Sequence, residues 1–104
     1  MDSCKYDFEF TSRAEQDLDD ILNYIARDLA NPTAAKKFYF ALSNAIDNIC
    51  LFPNSAPLSE FNFALPLRKL IVDNYISYYT IDEEKRLIRI IRIQYARQDL
   101  TKYF

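Results

Sequence analysis

In RLIRIIRIQYARQD, Arg86 to Asp99, the arginines Arg86, Arg89 and Arg92 fall at every third position of an aliphatic stretch that ends in Tyr95 and Arg97. The run gathers four arginines, a tyrosine and an aspartate, side chains able to handle charge or protons. What they can do is bounded by two absences. There is no histidine, which removes Ser–His, Cys–His and His–metal mechanisms and the usual general base near neutral pH. There is no glycine, so no glycine-rich phosphate loop can form. Any catalysis falls to carboxylates, tyrosines, lysines or arginines. The charge is also unevenly spread. Net charge is −2, but residues 1–60 hold five Lys or Arg against ten Asp or Glu, and residues 61–104 hold eight against five. That asymmetry hints at an acidic partner for the C-terminal half.

These groups must be positioned by a small fold. The 104 residues fit one domain, 1–104, and eight Phe with eight Tyr supply a core without disulfide or metal. Cys4 and Cys50 make neither a disulfide framework nor a zinc-spaced cluster. Cys50 ends an apolar helical pattern and reads as packed core. No metal or cofactor site is expected. No charged start leads into an apolar signal segment, and no apolar run approaches the ~20 residues of a membrane span. The chain reads as soluble, cytoplasmic and without a membrane partner.

KYDFEF alternates charged and aromatic residues, the period-two signature of a half-buried strand. Ser12, with Glu15 three residues on, makes a plausible capping box. Ala14, Leu18, Ile21, Leu22, Ile25 and Leu29 then follow at helical spacing, with Asp17, Asp19, Asp20 and Arg27 off the stripe. Asn31 and Pro32 suit the cap and first position of a second helix, whose apolar stripe is Ala35, Phe38, Leu42, Ala45, Ile46 and Ile49. The proline-rich FPNSAPLSEFNFALP is a connecting loop. Strands LRKLIV and YISYYTI flank Asp73–Asn74, a turn pair that tolerates positive φ without glycine. RLIRIIRIQ is the last strand, and RQDLTKYF a short C-terminal helix. The order predicts an α+β domain in which an N-terminal strand and helical hairpin pack on a small antiparallel sheet. The first strand pairs with the last, and the sheet's second face is left open.

Period two puts Leu87, Arg89, Ile91 and Ile93 on one face of the last strand and Arg86, Ile88, Ile90, Arg92 and Gln94 on the other. The first set is the drier and is expected to meet the helices, with Arg89 as its misfit, snorkelling or paired with a carboxylate. Arg92 is then expected on the open face, near YARQD.

The order and spacing of AEQDLDDILNYIARDLANPTAAKKF, LFPNSAP, PLRKLIVDNYISYYTID and IRIIRIQYARQD resemble the RelE/ParE superfamily of bacterial toxin–antitoxin toxins, over nearly the whole chain. The resemblance implies a growth-inhibiting toxin held inactive by a cognate antitoxin, as in plasmid stabilisation modules, in hetero-oligomers of varied stoichiometry. It also implies one of two activities. RelE-like members cut messenger RNA on the ribosome, which needs cations around the scissile phosphate and a proton donor or acceptor. ParE-like members inhibit DNA gyrase without cutting. A relative that keeps antitoxin binding and has lost toxicity is a third reading.

The resemblance carries over residue by residue. Ribonuclease members place an arginine after the aromatic of the middle strand, where this chain has Ile76 in NYISYY. Arg68 matches an arginine common to both branches, and Lys69 a basic strand position of the ribonucleases. Arg92 and Arg97 are candidate phosphate or partner ligands. YARQD keeps the first arginine and the aspartate of a pattern like HGRRD, with Tyr95 in place of histidine. Tyr95 is either a proton donor beside cations or a strand-end aromatic packed on the C-terminal helix. Glu60 is the one nearby carboxylate that can act as a base, or a solvated loop charge. The candidate functional surface is thus Arg68, Lys69, Arg92, Tyr95 and Arg97, catalytic only in a ribonuclease. The acidic balance and Ile76 favour the ParE-like reading, because phosphate neutralisation dominates nucleic-acid affinity.

Overall fold

The computed structural model describes residues 5–59 and 65–96. Glu60, Arg97 and the proposed C-terminal helix lie outside the described residues. The elements run β1 (Asp7–Phe10), α1 (Ser12–Asn23), a π-helical turn (Tyr24–Asp28), α2 (Pro32–Leu51), β2 (Arg68–Val72), β3 (Tyr75–Asp82) and β4 (Leu87–Tyr95). One sheet takes the order β1-β4-β3-β2, and the helices pack on one of its faces, so the fold is α+β.

The β2–β3 and β3–β4 pairs are antiparallel, as consecutive hairpins require, but β1 joins β4 in parallel. The sheet is therefore mixed, where the sequence predicted an antiparallel one. The path of the helices gives the reason. Thr11 N–H bonds to Ile90 O, and Asp17 reaches Ile93 N–H further along β4, so α1 carries the chain onward past the end of β1. α2 then returns to the starting end, where Tyr6 N–H bonds to Cys50 O. β2 therefore sets off in the direction of β1, and two hairpins later β4 runs that way too.

The α1 cap is Thr11, not Ser12: its hydroxyl accepts from Ala14 N–H at 3.1 Å and donates to Ile91 O at 3.1 Å. A side chain that caps a helix and ties it to the sheet outcompetes one that only caps. α1 passes into the π turn, where Leu29 N–H bonds back to Tyr24 O, and that extra residue per turn rotates Leu29 out of the apolar stripe into solvent. α2 begins as its sequence indicates, Asn31 Oδ1 accepting from Ala34 N–H at 3.0 Å with Pro32 at the first position. Ala35, Phe38, Leu42, Ile46, Ile49 and Cys50 line its buried side. With no glycine available, positive φ falls on Ala30 (49°), Asp73 (54°) and Arg86 (52°).

The faces of β4 are not those that unbroken alternation predicts. Tyr78 pairs with Arg92 but Tyr79 pairs with Ile90, so Ile91 is an inserted residue, a β-bulge. Before it the helices receive Ile88 and Ile90; after it, Ile93; all three are buried in the core. Leu87, Arg89 and Ile91 do not form the helix-facing set, because one extra residue reverses the parity of the strand. Arg89 is paired with a carboxylate, as one of its two expected fates had it, though off the helix-facing set: its Nε donates to Glu9 Oε2 at 2.6 Å, and Glu9 is its register partner on β1. The far face is also less open than expected. Tyr78 and Thr80, which alternation puts there, are only 4% and 2% exposed.

Candidate functional site

The sheet register sorts the candidate residues into separate groups. Lys69, Tyr78 and Arg92 form one cross-strand row on the face away from the helices, the two cations on backbones about 10 Å apart. The next row is Ile71, Ile76 and Gln94. Ile71 is 63% exposed, so the position at which a nuclease would carry its middle-strand arginine lies in a partly apolar patch.

Arg92 is committed to the fold. Its Nε and Nη2 donate to Asp17 Oδ2 and Oδ1 at 2.8 and 3.3 Å, and the same carboxylate accepts Ile93 N–H at 2.9 Å. The origin is local. β1 ends at Phe10, so among the described residues β4 beyond Ile90 has no strand on that side, and α1 brings Asp17 to the orphaned edge N–H. The bulge at Ile91 re-aims Arg92 toward the same carboxylate. Asp17 is 11% exposed at its side chain and Arg92 34%. Hydrogen bonding to Asp17 holds the Arg92 guanidinium above its ordinary pKa.

Arg68 is also occupied. It lies in the row of Tyr79 and Ile90, on the helix side, and its Nη1 donates to Ala56 O at 2.5 Å and Asn54 O at 3.3 Å. The Tyr79 hydroxyl donates to Pro53 O at 2.7 Å beside it. Together they pin the segment leaving α2 to the sheet. Lys69 anchors the same segment through its backbone, N–H to Pro57 O at 2.9 Å.

Tyr95 lies apart from all of these cations. It pairs with Tyr75 at the far end of the sheet, and the two rings tilt against each other at 5.3 Å, with Phe38 5.0 Å from Tyr75. These rings enter a cleft of about 830 Å³ between the α1–α2 hairpin and the start of β3, which also receives Tyr24, Asp20 and Asp73. Burial, with Tyr95 and Tyr24 adding to it, pushes the Tyr75 phenol up from its ordinary pKa. Tyr95 therefore meets aromatic rings and carboxylates, not the basic row.

Sequence reasoning missed Asp17, Tyr24, Tyr75 and the cleft. Asp17 showed one signal, a carboxylate off the apolar stripe in the first turns of α1; its partner was hidden by the bulge. The described residues hold no group of three or more His, Cys, Asp or Glu able to bind a metal, and no helix long and apolar enough to cross a membrane.

Comparison with known proteins adds the following. Residues 8–100 match a family described as the ParE toxin of the type II toxin–antitoxin system, parDE. A search of curated proteins by sequence finds no match. Among solved structures, the chain is similar to one from the chromosomal ParDE toxin–antitoxin system of Pseudomonas aeruginosa, with TM-score 0.70 and 19% identity over 89% of this chain and 98% of that one. It is also similar to a chain of the RelBE2 toxin–antitoxin complex of Mycobacterium tuberculosis, with TM-score 0.60 and 18% identity over 88% and 98%. A chain of the archaeal RelE–RelB complex of Pyrococcus horikoshii gives TM-score 0.55 and 12% identity over 88% and 96%. At these identities the structural likeness speaks to fold.

Proposed function

The chain belongs to the ParE toxin family of type II toxin–antitoxin systems, and we propose that it inhibits growth by gripping a protein target, DNA gyrase, rather than by cutting messenger RNA. One observation carries this reading: Arg92 and Arg68, two of the cations that phosphate chemistry would use, are spent inside the fold. Arg92 is paired with Asp17, Arg68 holds backbone carbonyls, and the middle-strand position is Ile76. A scissile phosphate placed at Arg92 would have to compete with a carboxylate already held by two guanidinium hydrogen bonds and one from the backbone, and it would be repelled by that carboxylate. Tyr95 faces the cleft and cannot serve a phosphate on the opposite face.

A cognate antitoxin is the second partner, supported by the toxin–antitoxin complexes among the structural relatives. The exposed apolar residues Ile71 on β2 and Tyr39 and Phe40 on α2 suit a protein that is covered by others.

Induction of the chain in a bacterial host tests the proposal. Replication stops and a DNA-damage response appears, while translated messages stay intact. Rapid cleavage of translated messages would overturn it.

A further inference from the structure

The cleft at the end of the sheet has a chemistry opposite to that of the basic row. Phe38, Tyr75 and Tyr95 stand as a continuous series of rings, each centroid about one ring diameter from the next. Tyr24 adds a fourth ring from the π turn, and Asp20 and Asp73 bring carboxylates from α1 and the β2–β3 turn. The described lining contains no lysine or arginine. Every charge of the described lining is negative, and the exposed Tyr24 and Tyr95 and the half-buried Tyr75 bring rings whose faces carry the negative side of a quadrupole. The Tyr75 phenol, raised by burial and by its tyrosine neighbours, stays neutral and keeps its ring apolar.

Such a site repels anions and attracts cations that can lie against a ring while a carboxylate completes their charge. We infer that the cleft receives the cationic side chain of a protein partner, an arginine or lysine flanked by apolar residues in a peptide segment. Size argues for a peptide over a small ion: about 830 Å³ holds several side chains. Its wall is mixed, with aliphatic side chains between the aromatic ones to take the flanking apolar residues. Leu29, turned outward by the π turn, stands exposed among these lining residues. This inference goes beyond the proposed mode of action and does not depend on whether the toxin's target is gyrase.

Titration of the isotope-labelled chain by nuclear magnetic resonance reads the cleft alone. The probe is a short amidated peptide of leucine and alanine with one central arginine, compared with the same peptide carrying norleucine there. The arginine peptide shifts resonances of Tyr75, Tyr95 and Asp20 and binds about fivefold tighter than the norleucine peptide. That advantage disappears in the double variant Asp20→Asn, Asp73→Asn. Asparagine tolerates the positive φ at position 73, so the variant keeps the turn. Equal binding of the two peptides, saturation elsewhere on the surface, no saturable binding, or an undiminished preference in the double variant each overturns the inference. So does free arginine amide binding as tightly as the peptide, which would make this a small-cation site.

Discussion

Replacing Asp17 separates its two jobs. The carboxylate accepts two hydrogen bonds from Arg92 and one from Ile93 N–H, and it is more buried than its guanidinium partner. Asp17→Asn keeps an amide oxygen for Ile93 N–H and loses the charge. Arg92 is one-third exposed, so water takes over much of its solvation and the loss is about 1 kcal/mol. Asp17→Ala also strands the Ile93 N–H at a covered strand edge, adding about 2 kcal/mol. The expected costs are therefore about 1 kcal/mol for asparagine and about 3 kcal/mol for alanine. With a urea m-value of about 1.5 kcal/mol/M, the alanine midpoint falls by roughly 2 M and the asparagine midpoint by less than about 1 M. Equal midpoints for the two variants, or an alanine variant within about 0.5 kcal/mol of wild type, would refute the view that this carboxylate completes the β4 edge.

Ala30 has φ 49° where most chains would use glycine, so Ala30→Gly should stabilise by about 0.5–1 kcal/mol, read as a raised urea midpoint. Ser77 Oγ is buried without a hydrogen-bond partner, and Ser77→Ala should be neutral or stabilising by about 1 kcal/mol; a loss of that size would mean that the hydroxyl is paired. Cys50 is fully buried and burial raises its thiol above the ordinary value of 9.0. In a Cys4→Ser background it should react with a thiol reagent only after denaturation. The sign for stability follows from the raised folded value: the unfolded thiol ionises first, so stability is complete below about pH 9 and falls as pH rises above it.

The helical hairpin, the caps at Asn31 and Pro32 and the Asp73 turn were legible because each depends on residues adjacent in sequence. What failed depended on pairs distant in sequence. The period-two reading of β4 held for Arg92 and Ile93 and failed before them, because nothing in RLIRIIRIQ marks Ile91 as inserted; the bulge arises where β1 ends and α1 begins, some eighty residues earlier. The same event hid the Asp17–Arg92 pair and made Arg92 look accessible. The parallel β1–β4 pairing was invisible because direction is set by the return of α2, not by any strand. Leu29 was lost to the stripe because a π turn keeps the apolar spacing in sequence while rotating it in space. Arg68 was placed correctly on its strand and Tyr95 one residue beyond the last one, but the partners that define them, the 53–56 segment and the Tyr75 ring, became visible only with the register.

The most direct test is supercoiling of relaxed plasmid by purified gyrase as the antitoxin-free chain is added. Supercoiling should fall with a saturable dependence on the chain and recover when antitoxin is supplied. Undiminished supercoiling at concentrations that stop growth would contradict a toxin acting by its grip on gyrase.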